Sequence, residues 1–160
     1  AEMLGRYGYE HYEVSNFCAP GFESKHNIKY WMMDDYMGFG PGAHSCIGNQ
    51  RYSFVKNLKQ YISGVERGIS LIDEHSTIDP LERAVEYIML GMRTSRGISE
   101  REYRYRCQCD WKPIYKILLA FQEKGWVEKN FALYSNEYCS PFGLCSLTYR
   151  FTLKGRIKTK

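Results

Sequence analysis

The sequence predicts a glycine-rich segment of strand and loop, followed by an α+β module with the helix, helix, helix, strand, loop, strand order of a winged helix. Three observations lead there. Residues 1–70 hold nine of the fourteen glycines and balance seven Lys/Arg against seven Asp/Glu, whereas residues 71–160 carry fifteen Lys/Arg against eleven Asp/Glu. Beyond residue 56, apolar side chains recur at the spacing of amphipathic helices, and near the end they alternate as in a strand. Residues that start and stop helices stand at the boundaries of those runs. With 160 residues the chain matches one domain, or one and part of a second. A chain of that size can bury a core without disulfide staples.

In chain order, residues 7–17 are rich in β-formers and end near the Pro20-Gly21 turn signal. Residues 18–35 read mostly as loop. Tyr36 opens a short strand that runs into Gly38, Gly40 and Gly42. Glycines in that pattern let the backbone approach a flat or anionic group, and a tight turn that binds nothing accounts for them as well. Asn57 to Gly68 predicts a helix with Leu58, Tyr61, Ile62 and Val65 on one face and Gly68 as its stop. Asp79 caps the next helix, with Pro80 in its first position and Glu82 completing the pattern. Its stripe of Leu81, Val85, Ile88, Met89 and Met92 is expected in the core. Ser99 and Glu102 repeat the capping pattern for a shorter helix. Another helix follows Asp110, with Ile114, Ile117, Leu118 and Phe121 expected inside and Gly125 as its stop. Trp126 to Tyr134 reads as a strand, and so does the alternation of Leu147, Tyr149, Phe151 and Leu153.

Composition narrows the function. An apolar fraction of 44% with 25% charged residues excludes a disordered chain and a collagen. No apolar run reaches the length of a transmembrane helix. A net charge of +4 is too small to argue for nucleic acid, and the candidate recognition helix from Lys112 offers few side chains to read bases. The chain starts at Ala1 with neither initiator Met nor signal peptide, which suggests a fragment. Without a secretory signal, Cys18, Cys46, Cys107, Cys109, Cys139 and Cys145 are expected to be reduced. The pairs Cys107/Cys109 and Cys139/Cys145 lack the two-residue spacer usual in zinc sites. No Cys-x3-Cys-x2-Cys run is present to hold an iron–sulfur cluster. Among the histidines, His26 stands on the expected loop beside Tyr30 and Trp31. A neutral imidazole flanked by flat rings suits the axial position of a planar macrocycle, and a loop histidine with no such role accounts for it as well. His44 lies in the glycine loop, and His11 and His75 have no constellation around them.

Three stretches carry a resemblance. Tyr12-Glu-Val-Ser-Asn-Phe-Cys-Ala-Pro-Gly21, Glu23-Ser-Lys-His-Asn-Ile-Lys-Tyr-Trp31 and Gly38-Phe-Gly-Pro-Gly-Ala-His-Ser45 resemble, in order and spacing, the radical SAM family of oxygen-independent coproporphyrinogen III oxidases and their haem-chaperone relatives. The tail, with Leu90-Gly-Met-Arg93, Gly97-Ile98, Leu147-Thr148 and Leu153-Lys-Gly-Arg156, is similar to that family's C-terminal domain. The resemblance covers nearly the whole chain. It implies an α/β remnant over residues 1–50, the last strands of a partial radical SAM β/α barrel. A connecting helix and linker would follow at 51–78, then an α+β, winged-helix-like C-terminal domain at 79–160.

The resemblance also implies a parent protein that is cytoplasmic and uses a 4Fe-4S cluster, S-adenosylmethionine and haem. The family's cluster cysteines lie upstream of this stretch, so these residues alone would be inactive as a radical enzyme. His26, Asn27, Tyr30 and Trp31 match the His-Asn-x-x-Tyr-Trp motif that the chaperone branch links to haem binding. True oxidases carry an Arg-Asn-Phe-Gln-Gly-Tyr-like stretch there, and a Val-Ser-Ala-Ile loop where this chain has Pro41-Gly-Ala-His44. By the same comparison Gly40, Gly42, Ala43 and His44 would line S-adenosylmethionine, partly through backbone. The implied function is a haem chaperone that delivers haem to acceptor haemoproteins, and the alternative is the oxidase, which decarboxylates coproporphyrinogen III. Barrel strands cut from their neighbours expose an apolar face, so self-association is expected. No nucleic acid or transmembrane segment is implied, and no metal beyond haem iron at His26.

Overall fold

The structure is a computed structural model, and it describes residues 2–133 and 145–152. In chain order its elements are α1 (Glu2–Arg6), α2 (Lys25–Trp31), β1 (His44–Ile47), β2 (Gln50–Phe54), α3 (Leu58–Arg67), β3 (Ile72–Thr77), α4 (Pro80–Gly91), β4 (Ile98–Ser99), α5 (Glu100–Cys107), α6 (Lys112–Glu123), β5 (Val127–Leu133) and β6 (Cys145–Phe151). The chain divides into two compact units. One combines the residues up to Met32 with those from Pro80 onward, and the other is Met33–Asp79. Among the described residues no helix is long and apolar enough to cross a membrane.

The first unit is built around a three-stranded antiparallel sheet in the order β4-β6-β5. Ile98 pairs with Tyr149, and Val127 pairs with Phe151. Gly97 makes the short β4 possible. Its φ is +74°, and a Cβ there would collide with the Tyr149 carbonyl. Helices α4, α5 and α6 cover this sheet with aromatic rings. Tyr103 stands 5.9 Å from Tyr87 and 5.2 Å from Trp111, and Trp111 lies 6.0 Å from Tyr149. These tilted and edge-on arrangements are the favoured ones for aromatic pairs.

The helix-start signals at Pro80 and Ser99 and the strands at 127–133 and 145–151 match the sequence reading. Leu153, Lys154, Gly155, Arg156 and Cys139 lie outside the described residues. Helix α4 differs from expectation. Of the expected stripe, Leu81, Val85 and Met89 are exposed, Ile88 is half-buried and Met92, just past the helix, is buried; within the helix the buried positions are Arg83, Ala84, Tyr87 and Gly91. The face that packs is chosen by fit. A Cβ on Gly91 would sit 2.5 Å from Ile98 Cγ2, so glycine lets helix and strand close together. Tyr87 then enters the aromatic cluster beside Tyr103. In α6, likewise, Leu118 is buried but Ile117 is exposed. Residues 7–17 form no strand: Glu10 and Glu13 make single bridges, to Cys18 and Thr94. The buried Glu13 carboxylate turns back to accept from Ser15 N at 3.0 Å, which curls the chain out of extension.

The second unit is an antiparallel meander, β1-β2-β3, with α3 inserted between β2 and β3. Asn57 caps α3 by accepting from Gln60 N at 3.1 Å, and Gly68 ends it at φ +64°. Of the predicted face, Leu58, Ile62 and Val65 are exposed, while Tyr61 is half-buried with its ring edge-on to Phe54 at 6.3 Å. Two serines, Ser45 and Ser53, are buried between the strands.

Candidate functional site

The expected loop around His26 is a helix. Ser24 opens it: its Oγ accepts from Asn27 N at 3.4 Å, and Met32 closes it by donating its N–H to Ile28 O at 2.8 Å. Four-residue spacing places His26 and Tyr30 on one side. Their rings meet edge-on with centroids 5.1 Å apart. Both side chains are exposed, while Asn27 and Trp31 are half-buried. All four residues of the His-Asn-x-x-Tyr-Trp motif therefore lie on one seven-residue helix that buries none of its side chains. Phe22, just before the cap, is 79% exposed and adds apolar surface in sequence proximity. An accessible imidazole beside an aromatic edge fits a planar iron macrocycle: the nitrogen lone pair can ligate iron, and the ring can pack on the apolar plane.

The glycine loop belongs to the other unit. Gly40 and Gly42 have φ of +103° and +70°, conformations that favour glycine. Gly38 lacks room for any side chain, because a Cβ would collide with the His44 carbonyl. The backbone donors here are already engaged: Gly38 N with Ser45 Oγ at 3.0 Å, Gly42 N with Val55 O at 3.1 Å, and Ala43 N with Gly40 O at 3.2 Å. What the loop offers a ligand is its shape and the exposed His44, which starts β1 opposite Ser53.

Among the described residues no group of three or more His, Cys, Asp or Glu side chains could hold a metal ion. Cys18, Cys46, Cys107 and Cys109 are free thiols. Burial, with a smaller contribution from Cys109, pushes the Cys107 thiol up to about 11.

Sequence reasoning missed the polar cluster that touches the end of α2. Arg96 donates Nη1 to Met32 Sδ at 2.9 Å and Nη2 to Glu102 Oε2 at 2.7 Å. Arg106 Nε binds the other Glu102 oxygen at 2.8 Å. The Tyr87 hydroxyl accepts from Ser99 N at 3.0 Å and lies 3.2 Å from Glu102 Oε2. Burial first, and the Glu102 charge second, hold the Tyr87 hydroxyl well above its usual pKa. Glu102 was legible as a cap partner of Ser99, but nothing in the local sequence links Arg96 to Met32.

No protein-family model matches the chain. By sequence it is similar to the heme chaperone HemW of Bacillus subtilis (strain 168), with 40% identity over 126 residues, covering 78% of this chain and 33% of that protein. It is 32% identical over 114 residues to heme chaperone HemW of Lactococcus lactis subsp. lactis (strain IL1403), covering 71% of this chain and 30% of that one. Over 131 residues it is 31% identical to heme chaperone HemW of Synechocystis, covering 79% of this chain and 31% of the relative. The chain thus spans about a third of the length of the curated relatives it matches. Among solved structures it is similar to the radical SAM coproporphyrinogen III oxidase HemN from Escherichia coli. The TM-score is 0.62 at 15% identity, covering 98% of this chain and 36% of that one. At that identity the likeness speaks for the fold.

Proposed function

We infer, from a chain that is a C-terminal part of a HemN-like/HemW protein, that the whole protein is a haem chaperone, which binds haem and hands it to acceptor haemoproteins. The observation that carries this reading is the exposed His26 imidazole standing edge-on to Tyr30 on α2. His26 would ligate the haem iron through an imidazole nitrogen. Tyr30 and Trp31 supply flat apolar surface to the macrocycle, and Asn27, whose amide is tied to Ser24, keeps the first turn of the helix in place. An open site on a short helix suits a carrier, because an acceptor's own axial ligand can reach iron that is held at the surface.

The order α4, β4, α5, α6, β5, β6, with β6 central in its sheet, supports a winged-helix-like C-terminal module. Residues 1–50 as the end of a radical SAM barrel and 51–78 as a connecting segment complete the proposed architecture. In the whole protein, the 4Fe-4S cluster and most contacts to S-adenosylmethionine would come from outside this chain. Gly40, Gly42, Ala43 and His44 would line the S-adenosylmethionine pocket by shape and by the His44 ring. The oxidase reading has less support, because the likeness to HemN is one of fold.

The test is haem titration of the full-length protein and of His26→Ala. The expected outcome is a changed Soret band and binding at least about tenfold weaker in the variant. Wild-type affinity and spectrum in His26→Ala would overturn the reading.

A further inference from the structure

We propose that Arg96 is the positioning residue of the His26 helix, holding α2 against the rigid core of its own unit so that the His26–Tyr30 edge keeps one orientation. This rests on the haem reading of α2. Helix α2 has seven residues and buries none of them. Isolated helices shorter than about 12–15 residues are marginal in water. Something outside the helix must therefore keep it formed and aimed.

The fork of Arg96 meets that need. One nitrogen is fixed by Glu102, whose side chain is only 4% exposed and is also bound by Arg106. The Glu102 amide in turn is capped by Ser99 Oγ at 3.2 Å. The other nitrogen of the fork reaches the thioether of Met32, the residue that follows Trp31 and closes the helix. The loop carrying Arg96 is itself fixed at several points. Ser95 N donates to Tyr12 O at 2.9 Å, Arg150 Nη1 donates to Ser95 O at 3.0 Å, and Thr94 bridges Glu13. Two planar donors on one rigid fork can hold the carboxylate and the sulfur together, whereas a lysine ammonium would not reproduce that fork. The site helix is thus tied at its C-terminal end to the aromatic and ionic core of the C-terminal module.

Two readouts on the full-length protein test this. The first is amide hydrogen exchange without haem. Arg96→Gln is expected to speed exchange at Ile28 to Met32 by about tenfold, with α5 amides held by Arg106 changing much less. Met32→Leu, which removes the sulfur but keeps the volume, should act in the same direction, and it decides the matter should Arg96→Gln not fold. Unchanged α2 exchange in both variants would overturn the proposal. The second readout is the haem spectrum. Both variants should weaken haem binding and shift or broaden the Soret band, and Arg96→Lys should not restore it. Wild-type haem binding in the variants, with His26→Ala defective, would overturn the positioning role while leaving the haem reading intact. Wild-type binding in His26→Ala would overturn the haem reading itself, and the positioning role with it.

Discussion

Helices α2 and α5 are alike in length, with seven and eight residues, and each begins at a serine whose hydroxyl accepts from the amide three residues on. Their surroundings separate them. Helix α5 buries Glu102, Tyr103 and Cys107, with the Tyr103 ring tilted against Tyr87 and edge-on to Trp111 and Glu102 clasped by two arginines. Helix α2 fully buries no residue, half-buries Asn27, Ile28 and Trp31, and presents its histidine and tyrosine at the surface. A helix this short acquires stability from what it packs against. The less packed one keeps His26 and Tyr30 at the surface, and it depends on contacts at its ends. Arg96 touches both helices, so the stable one lends its order to the exposed one.

Substitutions should expose this difference, the largest effect coming first. Tyr103→Ala is expected to cost about 3–5 kcal/mol in urea unfolding, since it empties the centre of the aromatic cluster. Glu102→Ala should cost about 3 kcal/mol by the same measurement, because Arg96 and Arg106 lose their common carboxylate. The caps come next. Ser99→Ala should cost about 1 kcal/mol and Ser24→Ala no more than about 0.5 kcal/mol, because the Ser24 bond is longer and its helix contributes less to the core. Helix α5 should also show a pH signature. The Cys107 thiol is pushed up from 9.0 to about 11, so its contribution is fully present below pH 9 and is lost as pH rises towards 11. Unfolding of wild type and Cys107→Ala across that window should show the steeper decline in wild type. Smallest of all, Tyr30→Ala should change stability by less than about 0.5 kcal/mol. A large stability loss at Tyr30 would break the contrast between the two helices.

The sequence disclosed the parts of the fold that local chemistry dictates. Ser99 with Glu102, Asn57 with Gly68, and the alternation around Tyr149 were legible because caps and strand periodicity are properties of neighbours in the chain. The apolar stripe on α4 was legible as a stripe but not as a surface, since periodicity cannot say what lies across from it. Gly91 and Tyr87 decided which side faces β4. The β1-β2-β3 sheet was hidden because it buries Ser45 and Ser53, and because β3, Ile72-Asp-Glu-His-Ser-Thr77, is exposed throughout. Such strands lack the apolar alternation that announces a sheet. The site motif at His26 was legible by resemblance. Its helical form rests on the Ser24 cap, and its tether at Arg96 is a contact across 64 residues that no local pattern encodes.

The most direct test of the account compares hydrogen exchange of the full-length protein with and without haem. Haem is expected to slow exchange at Ile28 to Met32 and to leave α5 little changed, and His26→Ala is expected to abolish the protection. Exchange in α2 that is indifferent to haem, or protection that survives in His26→Ala, would contradict it.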